Sequence, residues 1–414
     1  MFEPDPAYAS AANPTVDPSS AATADRAGRP TPRAEHVGSL VRPPQLLEAS
    51  RRVAARLGGG ERDANVLMAR GATLDSELEA LEDELIREAV HRQLAAGLDV
   101  ITDGEYRRLF FTSSFDTAVE GFRPSAETIT FYGPGGQTLD VPARPLVAER
   151  LRRVANPLAR EARFLASLGE IKGHWAKVTI PAASMFCWYG VFTPGVTDRV
   201  YRDPDELADH IVELERELVQ EAIAAGARYV QFDYPFYPLF VNDAHRANLR
   251  RFGITDERAY LERLLRVDRA VIAGLPGHVR TALHLCRGNA GAFWMSSGSL
   301  EPVAERLFAL PYDTFLVEWD DKERDGDYSV LRHVPKGPVI ALGIISTKRT
   351  EVESEDWVMR EIEEASSYID VAQLALTSQC GFGTVPGMEP LSQETQWRKL
   401  ELVGRVAERI WPRS

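Results

Sequence analysis

Cysteine is scarce in this chain: Cys187, Cys286 and Cys380 are the only three among 414 residues. An odd and sparse count builds no disulfide framework and suits a reducing compartment, so a cytoplasmic location is expected. Positive charge is also short, with 48 Lys and Arg against 61 Asp and Glu and a net charge of −13. That balance lacks the basic footprint that nucleic acid or an anionic membrane surface requires. No apolar run approaches the ~18 residues of a membrane-spanning helix. The first residues lack the apolar stretch of a secretory signal, and Glu3, Asp5, Asp17 and Asp25 argue against a transit peptide. With 44% hydrophobic, 26% charged and 9% aromatic residues, collagen-like, coiled-coil and wholly disordered classes are excluded.

What is present is organised by a repeated rhythm. Residues 1–34 hold six prolines and nine alanines without apolar periodicity and read as a disordered tail. Beyond them, Leu78, Leu81, Leu85 and Ala89 recur at helical spacing until Gly97, and Leu98-Asp99-Val100-Ile101 follows as a strand ending in acids. Leu207, Ile211, Leu214 and Leu218 repeat the pattern up to Gly226, before Tyr229-Val230-Gln231-Phe232 runs into Asp233. A helix, a glycine stop and a buried strand with an acid at its carboxyl end mark βα units of a parallel sheet. Eight strands are expected, near 35–38, 98–102, 175–180, 228–232, 279–284, 314–318, 338–344 and 371–377. They predict an α/β fold over 35–414, a (β/α)8 TIM barrel, with a doubly wound sheet as the alternative. Between the second and third strands, Thr128-Ile129-Thr130-Phe131 and Gly133-Pro134-Gly135-Gly136 predict a hairpin-containing insertion.

Barrel enzymes carry their chemistry at the carboxyl ends of the strands. The fifth expected strand ends His284-Leu285-Cys286, and alternate residues of extended chain face the same way. The sixth ends at Glu318, and the eighth leads through Gln379 to Cys380. Two thiolates, an imidazole and a carboxylate suit tetrahedral Zn2+. Taken singly, a buried cysteine is more often a small hydrophobe, the reading that fits Cys187, and a histidine more often a satisfied core residue. Joint placement is what favours a metal.

The segments EHVGSL, GLDVITDGEYRR, KVTIP, HLCRGN, FLVEWD and TSQCGFG resemble the catalytic domain of cobalamin-independent methionine synthase and its single-domain relatives. The likeness runs from residue 35 to the C-terminus. It implies a (β/α)8 barrel whose Zn2+ is held by His284, Cys286, Glu318 and Cys380. It also implies that Ser39 meets a substrate carboxylate, that Glu105 and Asp233 hold the substrate ammonium, and that Trp188 stacks the pterin of a methyl donor. Asp103 reads as a cap or supporting group.

Two departures qualify the donor. Only the tail precedes the barrel, where full-length members carry a further N-terminal barrel. The family's histidine after strand seven is replaced in Gly343-Ile344-Ile345-Ser346-Thr347-Lys348, with Ile345 near its place, so the catalytic acid is unassigned. The expected activity is zinc-dependent methylation of a small thiol, homocysteine, by methyltetrahydrofolate or by methylcobalamin on a partner protein. The alternatives are a zinc-dependent alkyl- or epoxide-to-thiol transferase or C–S lyase, and a metal-free decarboxylase-like or ligand-binding barrel.

Overall fold

The computed structural model describes residues 30–56, 76–233, 236–385 and 387–412. Strand β1 (Val100–Ile101) is followed by four strands outside the main sheet: β2 (Val119–Arg123), β3 (Thr128–Tyr132), β4 (Thr138–Pro142) and β5 (Leu146–Arg153). Six more rejoin it: β6 (Trp175–Pro181), β7 (Tyr229–Asp233), β8 (Arg280–Leu285), β9 (Thr314–Glu318), β10 (Val339–Ile345) and β11 (Leu374–Ser378). The sheet runs β1-β6-β7-β8-β9-β10-β11 with every neighbouring pair parallel.

The sheet curls until both of its edges bond one stretch of chain. Leu376 of β11 donates to the Arg33 carbonyl at 2.8 Å and accepts from the Glu35 amide at 3.1 Å. Beside β1, the Asp99 amide donates to the Ala34 carbonyl at 2.8 Å. This is the curled α/β architecture of a TIM-like barrel. The expected first strand at 35–38 is reduced to a single bridge at Ala34. Two of its carbonyls are spent on side chains: Lys177 Nζ takes that of His36, and Gln231 Nε2 takes that of Val37 at 2.7 Å.

Of the proposed tail, residues 1–29 lie outside the described residues. Residues 30–34 are packed, with the Pro30 carbonyl accepting from Trp175 Nε1 at 3.1 Å. Helices follow the expected spacing, among them Ser76–Ala95, Pro204–Ala225, Glu257–Ile272, Glu355–Ala365 and Gln393–Ile410. Asp203 caps one by accepting from the amides of Asp205 and Glu206, and Gly226 ends it at φ +123°, a conformation few L-residues tolerate. Among the described residues, no helix is long and apolar enough to cross a membrane.

Inside the barrel, Val37, Val100, Tyr229, Ala282, Leu316, Ala341 and Ala375 form one apolar layer. Buried beside it, Lys177 Nζ bonds Glu35 Oε2 and Gln231 Oε1, each at 2.8 Å. Paired this way, the buried charges avoid the desolvation cost of an isolated ion. Over the mouth lies the excursion between β1 and β6. In it, β2 pairs with β5 and β3 with β4, all antiparallel. The hairpin β3–β4 is pinned to the barrel by two backbone hydrogen bonds between Tyr132 and Trp294, 2.6 and 2.8 Å long.

Candidate functional site

β8 delivers His284 and Cys286, and the turn after β11 delivers Cys380. The two sulfurs stand 3.5 Å apart, and the donor atoms of all three residues lie within 4.8 Å of one another. His284 Nδ1 is bonded to Asp233 Oδ1 at 2.9 Å, while its buried Nε2 has no hydrogen-bond partner. A ring oriented by a carboxylate through one nitrogen, with the other free beside two thiols, is how a metal-ligating histidine is prepared. Gln231 Nε2 in turn donates to Asp233 Oδ1 at 2.9 Å, so the orienting carboxylate is itself held.

The electrostatics agree. Burial works against a charged ring, but Asp233 and Cys286 outweigh it and lift His284 to about 10. The hydrogen bond between Cys286 and Cys380, followed by burial, pushes the Cys286 thiol up.

Glu318 stands apart from this trio. Its Oε1 accepts from Lys348 Nζ at 2.7 Å and Arg324 Nη2 at 2.8 Å, and Oε2 accepts from the Arg287 amide. Burial opposes its charge, but Lys348 and Arg324 prevail and hold the carboxyl below its usual range. Glu318, Asp320 and Asp325 also cluster at metal-like separations. There the Arg324 guanidinium already bonds all three carboxylates, so the cation of that cluster is a side chain.

The trio opens into a cavity of about 600 Å3 whose wall includes Ser39, Glu105 and Asp233. Glu105 has φ +58°, the only non-glycine described residue at positive φ, and Asp103 Oδ1 steadies it by accepting from its amide at 2.9 Å. Few non-glycine residues adopt this conformation, and it persists here because the surroundings hold the chain in it. Glu105 Oε1 accepts from Thr179 Oγ1 at 2.9 Å, and Arg108 Nη2 lies 3.3 Å away, but Oε2 is buried without a partner. Burial, opposed by Arg108 and reinforced by Asp233, raises this carboxyl above its ordinary range.

Two glycines of the sequence motifs make room for these groups. A Cβ on Gly38 would fall 2.5 Å from Glu105 Oε1, and one on Gly381 would fall 2.0 Å from Ser39 Oγ. Trp188 is not on the cavity wall. It is 2% exposed and packs among Tyr189, Phe236, Phe240 and Tyr260, and of that cluster Phe236 is the ring that lines the cavity. Phe131, Ile129 and Val141 of the hairpin β3–β4 supply an apolar roof. Sequence reasoning missed Lys348, Arg324 and Gln231. For Lys348 the signal was in view: it sits three residues past the isoleucine that replaced the expected histidine.

No family model matches the chain. It is 31% identical over 384 residues to the uncharacterized protein YxjH of Bacillus subtilis (strain 168), covering 92% of this chain and 94% of that one. Its likeness to YxjG of the same organism is 30% over 391 residues, covering 92% and 96%. A methionine synthase of Sulfurisphaera tokodaii is 21% identical over 352 residues, covering 84% and 86%. Among solved structures, one from Listeria monocytogenes, provisionally assigned as a vitamin-B12-independent methionine synthase, superposes with a TM-score of 0.65. It is 26% identical over 92% of this chain and 98% of its own. A B12-independent methionine synthase from Shewanella sp. W3-18-1, solved with selenomethionine, shares the fold at a TM-score of 0.62 and 18% identity, covering 91% and 97%.

Proposed function

Since the chain belongs to the cobalamin-independent methionine synthase family, we propose that it is a zinc-dependent S-methyltransferase that converts homocysteine to methionine. The observation that carries this reading is the unpartnered His284 Nε2 beside two thiols on the wall of a cavity that also holds Glu105. Zn2+ held by His284, Cys286 and Cys380 would keep an incoming thiol deprotonated at neutral pH with its sulfur still electron-rich. Glu318, the fourth ligand that the sequence motif implies, is spoken for by cations.

The remaining residues bind and orient. The unpartnered Oε2 of Glu105 takes the substrate ammonium together with Asp233, and Ser39 takes the carboxylate. Anchoring both ends of the amino acid leaves the side-chain sulfur one place to go, which converts binding energy into orientation. The apolar roof excludes water from the acceptor. Where a histidine would protonate a leaving nitrogen, Ile345 is buried and has nothing to donate. That favours a donor needing no such proton, methylcobalamin, over methyltetrahydrofolate. In this reading the whole of 35–414 is one catalytic (β/α)8 barrel, roofed by the insertion.

The test is to offer homocysteine with methyltetrahydrofolate, its polyglutamate and methylcobalamin in turn, and to assay methionine. Product from one of the three is expected. Absence of product from all would move the assignment to alkyl or epoxide transfer onto another thiol.

Glu105→Gln checks the ammonium contact. Losing a charge-assisted hydrogen bond of about 2 kcal/mol should raise KM for homocysteine about 30-fold. The desamino analogue 4-mercaptobutyrate, which has no ammonium, should bind the variant and the unmodified protein alike. Equal losses for both thiols would instead assign Glu105 a purely structural role.

A further inference from the structure

Lys348 lies just beyond β10 with its side chain only 6% exposed. Its Nζ donates to Glu318 Oε1 at 2.7 Å. Arg324 shares that oxygen but is divided among Glu318, Asp320 and Asp325, whereas among the described residues Lys348 gives its side-chain hydrogen bond to Glu318 alone. With the Arg287 amide on Oε2, neither carboxylate oxygen is left over.

The loop that carries Lys348 is fixed on both sides. The Lys348 amide donates to Ser346 Oγ at 3.2 Å, and the Ser346 amide to Glu353 Oε1 at 3.0 Å. Thr347 Oγ1 donates at 2.7 Å to Gln379 Oε1, on the residue preceding Cys380. The loop that carries the ammonium is therefore tied to the turn that carries a thiol of the trio. A cation held this rigidly loses little side-chain entropy on pairing and is shielded from solvent, so its hold on the carboxylate is stronger than that of a surface pair.

We propose that Lys348 is a positioning residue that holds Glu318 away from the metal, leaving three protein donors and one position open to an external thiol. This rests on the metal reading above and goes beyond it. Catalytic zinc sites keep an open position where structural ones close it with a fourth protein ligand. A carboxylate set free would compete with every incoming thiol for that position. Neutralised by Lys348 and Arg324, Glu318 instead adds no net negative charge beside two thiolates.

The experiment uses the full chain, stripped of metal, as the unmodified protein, Lys348→Met and Lys348→Met/Glu318→Gln, with Lys348→Gln in reserve should methionine impair folding. Zinc affinity is measured by chelator competition, and 2-mercaptoethanol is titrated into the cobalt(II)-loaded protein by visible absorption. Lys348→Met should bind zinc at least about 10-fold more tightly and the thiol at least about 10-fold more weakly, the scale on which groups around a metal act. Adding Glu318→Gln should return both to near the unmodified values, which loss of a merely structural lysine would not do. Unchanged affinities in Lys348→Met, or no recovery in the double variant, would overturn the proposal. Failure of the unmodified protein to take up zinc would remove the metal reading and this proposal together. Zinc uptake with an indifferent Lys348→Met would overturn this proposal alone.

Discussion

Cys380→Ser should cost the protein its metal. A serine hydroxyl is a poor zinc ligand at neutral pH, and the trio would keep only His284 and Cys286 as strong donors. Zinc affinity is expected to fall by at least about 100-fold, about 2.7 kcal/mol, and methyl transfer to fall with it. Elemental analysis after dialysis against a mild chelator, run beside the thiol-methylation assay, checks both. Cys187→Ser is the matched control. That residue is half-buried, its sulfur lies 3.7 Å from the Ala183 carbonyl, and burial pushes its thiol far up. It should keep full zinc content and activity at a stability cost of about 1 kcal/mol. If Cys380→Ser retained a full equivalent of zinc, the trio would not be the metal site.

Gly404→Ala should be the most damaging single change away from the cavity. Gly404 is buried in the helix Gln393–Ile410, and a Cβ there would fall 1.8 Å from the Ala96 carbonyl oxygen and 3.2 Å from the Gly97 Cα. Both are backbone atoms of the turn that feeds β1, so no side chain can swing aside. Alanine would gain about 1 kcal/mol of helix propensity over glycine. Overpacking a close backbone approach costs about 1–3 kcal/mol or more, and here it prevails. The helix must lift, and with it Gln396, whose Oε1 accepts from the Val41 amide near Ser39. A thermal melt should show a loss of several degrees, with a rise in KM for the thiol. Gly169→Ala, whose added methyl meets nothing within 4 Å, should melt like the unmodified protein.

The barrel strands were legible because each is a short apolar run, several of them behind a glycine stop such as Gly97, Gly226 and Gly337. Residues 228–232 became β7 (Tyr229–Asp233), and 314–318 became β9 without adjustment. His284, Cys286 and Cys380 were legible because strand alternation and strand ends are properties of local sequence. Glu318 was legible as a residue but not in its circumstances. Whether a carboxylate is free depends on cations 6 and 30 positions away, which periodicity does not place. Trp188 failed for a related reason: a tryptophan beyond a strand end can face the cavity or turn its back on it, and the choice is made by the rings it packs against. The segment 35–38 read as the first strand of the βα rhythm, but Lys177 and Gln231, from strands two and three places round the sheet, claimed two of its carbonyls.

The seam at Ala34 and Leu376 sets a timetable for the newborn chain. Val37 reaches Ser378 across 341 positions, and the sulfurs of Cys286 and Cys380 meet across 94. Contacts this distant along the chain form late and slowly. While the polypeptide is still emerging from the ribosome, the first stave has no last stave to lean on and the second thiol has not been made. Ion capture at the proposed trio would therefore wait until Cys380 has been made and brought to Cys286.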